Sequence, residues 1–245
     1  MSGPKTVAVV QARMTSTRLP GKVMMEVLGK PLLGYELERA ARASRLSAVV
    51  VATTANRADD IVARYAESLG FGVYRGPEDD VLERYWGAAA RAGADFVARL
   101  TADCPLIDPE VVDRVAGAIL DDSSCDYASN ILGRRTYPRG LDTEVFTFAA
   151  LERARNEAVQ PREREHVTPY IYGHPEIFGL KGVQNDEDLS RHRWTVDTPE
   201  DFALVRALLE GLYPSDKNFT LNDAARFMDS HPALFTLNCH VVQKH

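Results

Sequence analysis

The sequence has no long apolar run and no apolar leader. Its longest uninterrupted apolar stretches are four or five residues, at positions 7–10 and 48–52, whereas a membrane-spanning helix needs about 20. The first residues carry no apolar segment of their own ahead of the first predicted strand. We therefore expect no membrane association and a cytoplasmic location.

Cysteines are few, and basic residues are outnumbered by acidic ones. The three cysteines, Cys104, Cys125 and Cys239, lack the spacing of metal ligands, which argues against a disulfide framework and a zinc site. The 29 lysine and arginine residues face 35 aspartate and glutamate residues, for a net charge of −6. This balance argues against nucleic acid as the main partner.

The 245 residues, of which 45% are hydrophobic, are enough for one sizeable domain, which we expect to span residues 1–245. Apolar runs of strand length alternate with stripes of helical periodicity. The predicted strands cover residues 6–12, 47–53, 71–75 and 95–101, and helices follow them near residues 33, 58, 79 and 109. This alternation predicts the α/β class, with a mostly parallel sheet sandwiched by helices.

The alternation breaks between residues 122 and 185. This stretch holds two short strand candidates and one helix, and no linker composition separates it from the rest, so we expect an elaboration at the sheet edge. The alternation resumes with a predicted strand at 194–196 and helices at 199–210 and 221–230. The role of the tail, residues 230–245, is left open.

The loop after the first strand concentrates positive charge. Residues 1–25 contain four basic side chains and no acidic one, and the loop contributes Arg13, Arg18, Lys22, three hydroxyl groups and a glycine. Loops at the carboxyl ends of strands bind ligands in such sheets, and these donors suit a nucleoside triphosphate. The alternative is a solvated basic loop.

The loop lacks the glycine patterns of two common nucleotide-binding classes. Ser16 and Val23 stand where a P-loop requires glycine and a hydroxyl residue, and no G-x-G-x-x-G turn is present. P-loop kinases and dinucleotide dehydrogenases are therefore disfavoured.

Two aspartates, Asp103 and Asp197, each follow a predicted strand, so both are expected at the sheet edge that carries the basic loop. Mg²⁺ takes one or two protein carboxylates and completes its shell with phosphate and water. The alternative role is helix capping, but the prolines that begin the next helices assign the caps to Asp108 and Thr198. We therefore predict a magnesium site at Asp103 and Asp197.

Three segments resemble one known family. Residues 9–22 (VVQARMTSTRLPGK), 100–108 (LTADCPLID) and 193–201 (RWTVDTPED) are similar to signatures of the cytidylyltransferases that make CMP-activated sugars. The similarity is greatest to the branch of spore coat polysaccharide biosynthesis protein F. The resemblance implies a Rossmann-like nucleotide-diphospho-sugar transferase fold and transfer of CMP from CTP to an acceptor, with release of pyrophosphate.

The resemblance also implies roles for individual residues. Arg13, Arg18 and Lys22 would hold the triphosphate, and Asp103 and Asp197 would hold Mg²⁺. All of these except Arg18 are also the predicted catalytic residues.

The base and the acceptor are assigned by the same resemblance. The base would lie near Ala12 and the loop 75–80, including Arg75. The family places contacts with the acceptor, and often the homodimer interface, in the elaboration. The predicted residues for an acidic acceptor are Arg139, Asp142, Glu144 and His166.

Some assignments stay open at this point. Arg134, Arg135 and Arg139 suit an acceptor carboxylate or phosphate, or they pair with Glu163 and Glu165 across a subunit boundary. His192 is a phosphate ligand or a surface residue, whereas Cys104 is expected to be a packed side chain. The alternative functions are transfer from another nucleoside triphosphate, a glycosyltransferase that uses a nucleotide sugar, and a non-catalytic nucleotide-binding subunit.

Overall fold

The computed structural model describes residues 3–242, and its main feature is a mixed sheet between two layers of helices. The strands are β1 (Thr6–Gln11), β2 (Glu26–Val27), β3 (Lys30–Pro31), β4 (Ala48–Thr54), β5 (Gly72–Gly76), β6 (Phe96–Thr101), β7 (Tyr127–Ser129), β8 (Glu144–Thr147) and β9 (Leu180–Gly182). The helices are α1 (Leu32–Ala40), α2 (Asp60–Ser68), α3 (Val81–Ala92), α4 (Pro109–Leu120), α5 (Phe148–Glu157), α6 (Pro161–His166), α7 (Pro169–Gly173), α8 (Pro199–Leu212) and α9 (Leu221–Ser230).

Seven strands form one sheet in the order β5-β4-β1-β6-β8-β7-β9, and β2 and β3 form a separate hairpin. The strands β5, β4, β1 and β6 run parallel. Strand β8 is antiparallel to both β6 and β7, and β9 is parallel to β7. The predicted mostly parallel sheet flanked by helices is therefore confirmed, and residues from the expected elaboration extend this same sheet.

Strand β1 lies at the centre of the sheet and is buried on both faces. Ala8 and Val10 pack with residues of α1 and α4 on one face, and Val7 and Val9 pack with residues of α3 and α5 on the other. All four side chains are fully buried, which explains why this strand lacks polar alternation. Within residues 3–242, no helix is both long enough and apolar enough to span a membrane.

The predicted strand at 194–196 is wrong. The backbone here makes a single bridge, between Arg139 and Arg193. The Trp194 N–H donates to the Arg139 carbonyl at 2.7 Å, whereas the Val196 N–H donates to the Asp103 carbonyl at 2.8 Å. Because successive bonds go to two different segments, no ladder forms, and the chain joins the elaboration to the end of β6.

Gly140 makes the closest backbone approach along this junction. It has a φ of +99°, and a Cβ atom placed on it would lie 2.5 Å from the carbonyl carbon of Trp194. A side chain is therefore excluded both by the left-handed backbone and by the neighbouring chain.

Replacing Gly140 with alanine is expected to lower the free energy of unfolding by about 3 to 5 kcal/mol, since backbone strain adds to the clash with residue 194. Gly133 is a matched control because it has a φ of +76° and a Cβ atom placed on it would meet no heavy atom within 4 Å. Gly133→Ala should cost only the strain, about 1 to 2 kcal/mol. Urea denaturation of both variants measures the difference, and equal losses would contradict the close approach.

Candidate active site

The basic loop that follows β1 lines one side of a cavity of about 310 Å³ at the carboxyl edge of the sheet. The Met14 N–H donates to Asp59 Oδ1 at 2.7 Å, which ties the loop to the segment before α2. This first cavity is lined by Gln11, Ala12, Arg13, Ser16, Thr17, Arg18, Lys22, Val23, Val81, Arg84, Thr101, Ala102, Asp103, Glu165, His166 and Asp197.

Lys22 lies between the two predicted metal-binding aspartates. Its Nζ atom is 2.6 Å from Asp103 Oδ2 and 2.8 Å from Asp197 Oδ1. Burial lowers the pKa of Lys22, but the two carboxylates outweigh burial, and the pKa lies above its usual value. Burial likewise raises the pKa of Asp103, and Lys22 outweighs it, so that pKa lies below its usual value. Lys22 and Asp103 are therefore both charged at neutral pH.

Asp197 is held from behind by a buried arginine. Arg193 Nη2 donates to Asp197 Oδ2 at 3.0 Å, and Arg193 Nε donates to Asp201 Oδ1 at 2.8 Å. Asp197 Oδ1 remains on the cavity side, 2.8 Å from Arg18 Nη2. Thr198 caps α8, as predicted, so Asp197 is free of that capping role.

Asp103 lies in the turn after β6, and the turn is held by a buried acid. The Cys104 N–H donates to Glu36 Oε2 at 3.1 Å, and Glu36 is fully buried. Burial and the nearby Asp103 raise the pKa of Glu36 well above its usual value. Burial also raises the pKa of the Cys104 thiol, which agrees with a packed side chain and argues against a thiolate nucleophile.

The two aspartates could hold a hard divalent cation. Among the described residues, no group of three or more histidine, cysteine, aspartate or glutamate side chains forms a metal cage. Both carboxylates nevertheless contact one ammonium group, so they converge on one point. A pair of carboxylates beside a cationic loop fits Mg²⁺, which keeps most of its shell for phosphate and water.

A second cavity of about 250 Å³ adjoins the first. Five residues line both cavities, namely Arg18, Thr101, Asp103, His166 and Asp197. The remaining lining residues of the second cavity are Arg99, Cys104, Ile131, Arg139, Gly140, Asp142 and Thr195. The pair of aspartates therefore lies at the boundary between two spaces that could hold two substrates.

A family model described as cytidylyltransferase matches residues 7–224. The chain belongs to the cytidylyltransferase family. The resemblance predicted from the three motifs is thus confirmed, and the chain is a nucleotidyltransferase.

Individual proteins show the same similarity. The spore coat polysaccharide biosynthesis protein SpsF of Bacillus subtilis is 34% identical over 209 residues, covering 82% of this chain and 85% of that protein. The structure of a cytidylyltransferase from Leptospira borgpetersenii has a TM-score of 0.91 at 33% identity, covering 99% of this chain and 100% of that one. The structure of CMP:2-keto-3-deoxy-manno-octonic acid synthetase complexed with CTP shares the fold, with a TM-score of 0.67 at 21% identity over 84% and 99% of the two chains.

The predicted triphosphate residues of this cytidylyltransferase all line the first cavity. Arg13 is the most exposed of the three, and its Nη1 atom lies 3.8 Å from a Glu78 oxygen. Ala12, predicted to lie near the base, is buried in the wall of the same cavity.

Arg75, the other residue predicted to lie near the base, lines neither cavity. Its Nη1 atom is 2.7 Å from Asp60 Oδ1, and its Nε and Nη2 atoms donate to the carbonyls of Thr54 and Asn56. Strand β5 lies at the edge of the sheet, and these contacts hold the Arg75 side chain away from both cavities. Arg84 lines the first cavity instead, although no prediction from the sequence included it.

The predicted acceptor residues divide into two groups. Arg139, Asp142 and His166 line the second cavity. Glu144 lines neither cavity and is buried, accepting hydrogen bonds from Arg99, Tyr127 and Thr168. Arg99 and Glu144 form an ion pair. Arg99 lines the second cavity, and Glu144 balances its charge.

Arg139 is the cation of the second cavity with no ion-pair or side-chain hydrogen-bond partner among residues 3–242. By contrast, Asp142 accepts two hydrogen bonds from Arg135, at 2.6 and 2.9 Å, and Arg134 pairs with Asp188 at 2.8 Å. Burial and the nearby Arg135 lower the pKa of Arg139. An anion entering this cavity would find Arg139 unsatisfied.

The alternative pairing of the arginines with Glu163 and Glu165 across a subunit boundary stays a prediction, because these contacts would join two copies of the chain. Within one chain, Arg134 and Arg135 pair with Asp188 and Asp142. The Glu163 side chain accepts a hydrogen bond from the Gln160 N–H at the start of α6. Glu165 lines the first cavity instead.

His192 is not a surface residue, and it lines neither cavity. It is 3% exposed, and its ring stacks on Trp194 with centroids 5.2 Å apart. Neither ring nitrogen has a hydrogen-bond partner among the described residues. Burial, with a smaller effect of Arg191, lowers its pKa to about 4.

This depressed pKa predicts a pH-dependent stability. The unfolded chain binds a proton near pH 6.5 and the folded chain only near pH 4, so the free energy of unfolding falls as the pH drops through that window. His192→Phe should remove about 2 to 3 kcal/mol of the loss between pH 7 and 4.5. Urea titrations of both proteins at the two pH values measure it, and identical pH dependence would contradict it.

Proposed function

We propose that this cytidylyltransferase transfers CMP from CTP to an anionic acceptor and releases pyrophosphate, with Mg²⁺ as the cofactor. The observation that carries the proposal is the shared wall of the two cavities. Asp103 and Asp197 lie on that wall, with the cationic loop facing the first cavity and the unpaired Arg139 facing the second.

The first cavity supports a nucleoside triphosphate. Its loop supplies two guanidinium groups and one ammonium group, at Arg13, Arg18 and Lys22, which suit the charge of three phosphates. Asp103 and Asp197 would hold Mg²⁺, which when bound neutralises charge on phosphate oxygens. Membership of the family, and the CTP bound to a protein of the same fold, support CTP as the nucleotide.

Arg84 supports recognition of a base in the same cavity. Its side chain is buried, and its guanidinium donates to the main-chain oxygens of residues 77 and 78 rather than to a carboxylate. Burial lowers its pKa. A cytosine ring offers acceptors at both O2 and N3, whereas uracil carries a hydrogen on N3. A donor-only side chain therefore favours cytosine.

The second cavity supports an acceptor that carries a carboxylate or phosphate. Arg139 and Arg99 line it, and arginine binds both groups through two parallel hydrogen bonds. Of these two, Arg139 has no carboxylate within 4.0 Å in the described part of the chain, whereas Arg99 pairs with Glu144. The name of SpsF connects such an activity with polysaccharide biosynthesis, so we propose an acidic sugar as the acceptor.

The arrangement suits an in-line displacement. An acceptor oxygen attacks the α-phosphorus, the bond to the pyrophosphate oxygen breaks, and the acceptor proton goes to solvent. Arg18 lines both cavities and can hold the transferred phosphate while the loop cations stabilise charge on pyrophosphate. Catalysis is then positioning and electrostatic stabilisation, with no covalent intermediate.

Pyrophosphate release tests the proposal. With Mg²⁺ and a panel of sugar acids that includes 2-keto-3-deoxy-manno-octonic acid, we expect turnover of CTP and little turnover of ATP, GTP or UTP. Asp103→Asn and Asp197→Asn should each lower kcat by about 100-fold or more, as for loss of one group that stabilises developing charge.

Other outcomes would contradict this assignment. Turnover of another triphosphate alone would change the base, and turnover of a pre-formed nucleotide sugar alone would make the protein a glycosyltransferase. Unchanged rates in both aspartate variants would remove the metal site, whereas CTP binding without any turnover would favour a non-catalytic subunit. The expected homodimer stays a prediction, which sedimentation of the full chain would test.

Arg139→Leu is expected to raise KM for the acidic acceptor by at least about tenfold, since a charge-assisted hydrogen bond contributes roughly 1.5 to 3 kcal/mol. KM for CTP should stay unchanged. Arg134→Leu is the matched control, because Arg134 belongs to the same region, is exposed, and lines neither cavity. Steady-state kinetics compare the two variants, and an equal effect of both would contradict a direct contact.

A further inference from the structure

We propose that the C-terminal segment, residues 231–242, is a working part of the active site, and that Asn238 is a positioning residue for Asp197. This segment lies beyond residues 7–224, which the family model matches. The inference rests on the proposed role of Asp197 in the phosphate and metal site, and it adds a residue from outside the three motifs.

Asn238 is buried, with 3% of its surface exposed. Its Nδ2 atom is 2.8 Å from Asp201 Oδ1 and 2.9 Å from the carbonyl oxygen of Arg193. An asparagine amide carries two N–H groups, so it satisfies both acceptors at once. The short helix Pro232–Leu237 directly precedes it and packs on α8 and α9.

The contact of Asn238 with Asp201 is linked to Asp197 through the ion pair of Asp201 with Arg193. Asp201 is fully buried and accepts hydrogen bonds from Arg193 Nε at 2.8 Å, Arg193 Nη2 at 3.0 Å and the Asp197 N–H at 3.0 Å. Arg193 in turn donates to Asp197 Oδ2 at 3.0 Å. Asn238 therefore orients the acid and the arginine that hold the back of Asp197, and Oδ1 faces the first cavity.

The hydrogen bond from Asn238 to the Arg193 carbonyl also supports the second cavity. The backbone of Arg193 lies beside Arg139, whose N–H donates to the His192 carbonyl at 3.1 Å and whose carbonyl accepts from Trp194 at 2.7 Å. Asn238 donates to the Arg193 carbonyl. Phe235 packs edge-on against the His192 ring, with the ring centroids 6.1 Å apart. The C-terminal segment thus braces one stretch of chain that carries Asp197 and supports Arg139.

Charge explains why an amide suits this position. Asp201 already faces Arg193, so a neutral donor adds a hydrogen bond without another buried charge. A carboxylate at position 238 would lie against Asp201 and compete for Arg193, which would weaken the hold of Arg193 on Asp197. Loss of the partners that orient a metal-binding carboxylate typically costs 10–100-fold in affinity or activity.

Calorimetric titration tests the inference with Mn²⁺ alone, and with CTP in the presence of Mg²⁺. Asn238→Asp is expected to weaken Mn²⁺ binding by about tenfold, at the low end of that range, because it acts through Arg193. Asn238→Ala should have a smaller effect in the same direction and serves if the aspartate variant does not fold. Both should lower kcat more than they raise KM for CTP.

Thr236→Ala is the matched control, since Thr236 is exposed in the same segment and donates only to the Ala233 carbonyl. It should leave binding and kcat unchanged. If Asn238→Ala lowers the melting temperature but keeps wild-type binding and kcat, Asn238 is merely structural and the inference fails. If the wild-type chain binds neither Mn²⁺ nor CTP, the proposed function fails instead, so the two failures are distinguishable.

Discussion

The contact of one ammonium group with two carboxylates organises this site. Lys22, Asp103 and Asp197 come from three separate parts of the chain, and each of them is buried or half-buried. A buried charge is tolerated only when it is paired and hydrogen-bonded, so the loop, the end of β6 and the start of α8 must meet at this point. In the proposed function, substrate binding would therefore exchange partners within a preformed charge cluster, because Lys22 already neutralises the carboxylates that would hold a cation.

The sheet explains why two cavities meet at that cluster. The parallel strands β1, β4 and β6 bring their carboxyl ends to one edge, where the loop cations lie. Strand β8 lies next to β6 in the sheet and runs antiparallel to it. The chain that enters β8 therefore lies at the same edge, and it supplies Arg139, Gly140 and Asp142 to the second cavity. The reversal of one strand thus sets the two binding spaces side by side.

Much of this could be predicted from the sequence. The central strands carry apolar residues on both faces, and in an α/β protein this pattern indicates parallel strands covered by helices on both sides. The segments with proline at the first helical position also identified the caps of α4 and α8, because the proline conformation is local. The predicted closeness of Asp197 and Asp103 holds, since both contact Lys22, although the predicted strand before Asp197 does not exist. The segment that carries Asp197 reaches the end of β6 through single backbone contacts, so its position does not depend on forming a strand.

The rest depended on packing that no local pattern encodes. Arg75 belongs to the loop predicted to lie near the base, yet it pairs with Asp60 at the sheet edge. Arg84 lies in a helix whose apolar stripe indicates packing and carries no sign of a cavity. Arg99 did carry a signal, since a charged residue inside a buried strand needs a counter-ion, and Glu144 supplies it. The helices α6 and α7 were missed because each is shorter than two turns.

The contact between Gly140 and Trp194 joins the proposed acceptor cavity to the proposed nucleotide site, and this junction bears on redesign. The backbone beside Arg139 is joined to the stretch that leads to Asp197, so a change in the loop near residue 140 shifts both halves of the site together. Ile131 also lines the second cavity, and it belongs to neither of the two segments joined at that contact. A redesign of the proposed acceptor preference would therefore start from the wall at residue 131 rather than from the loop at residue 140.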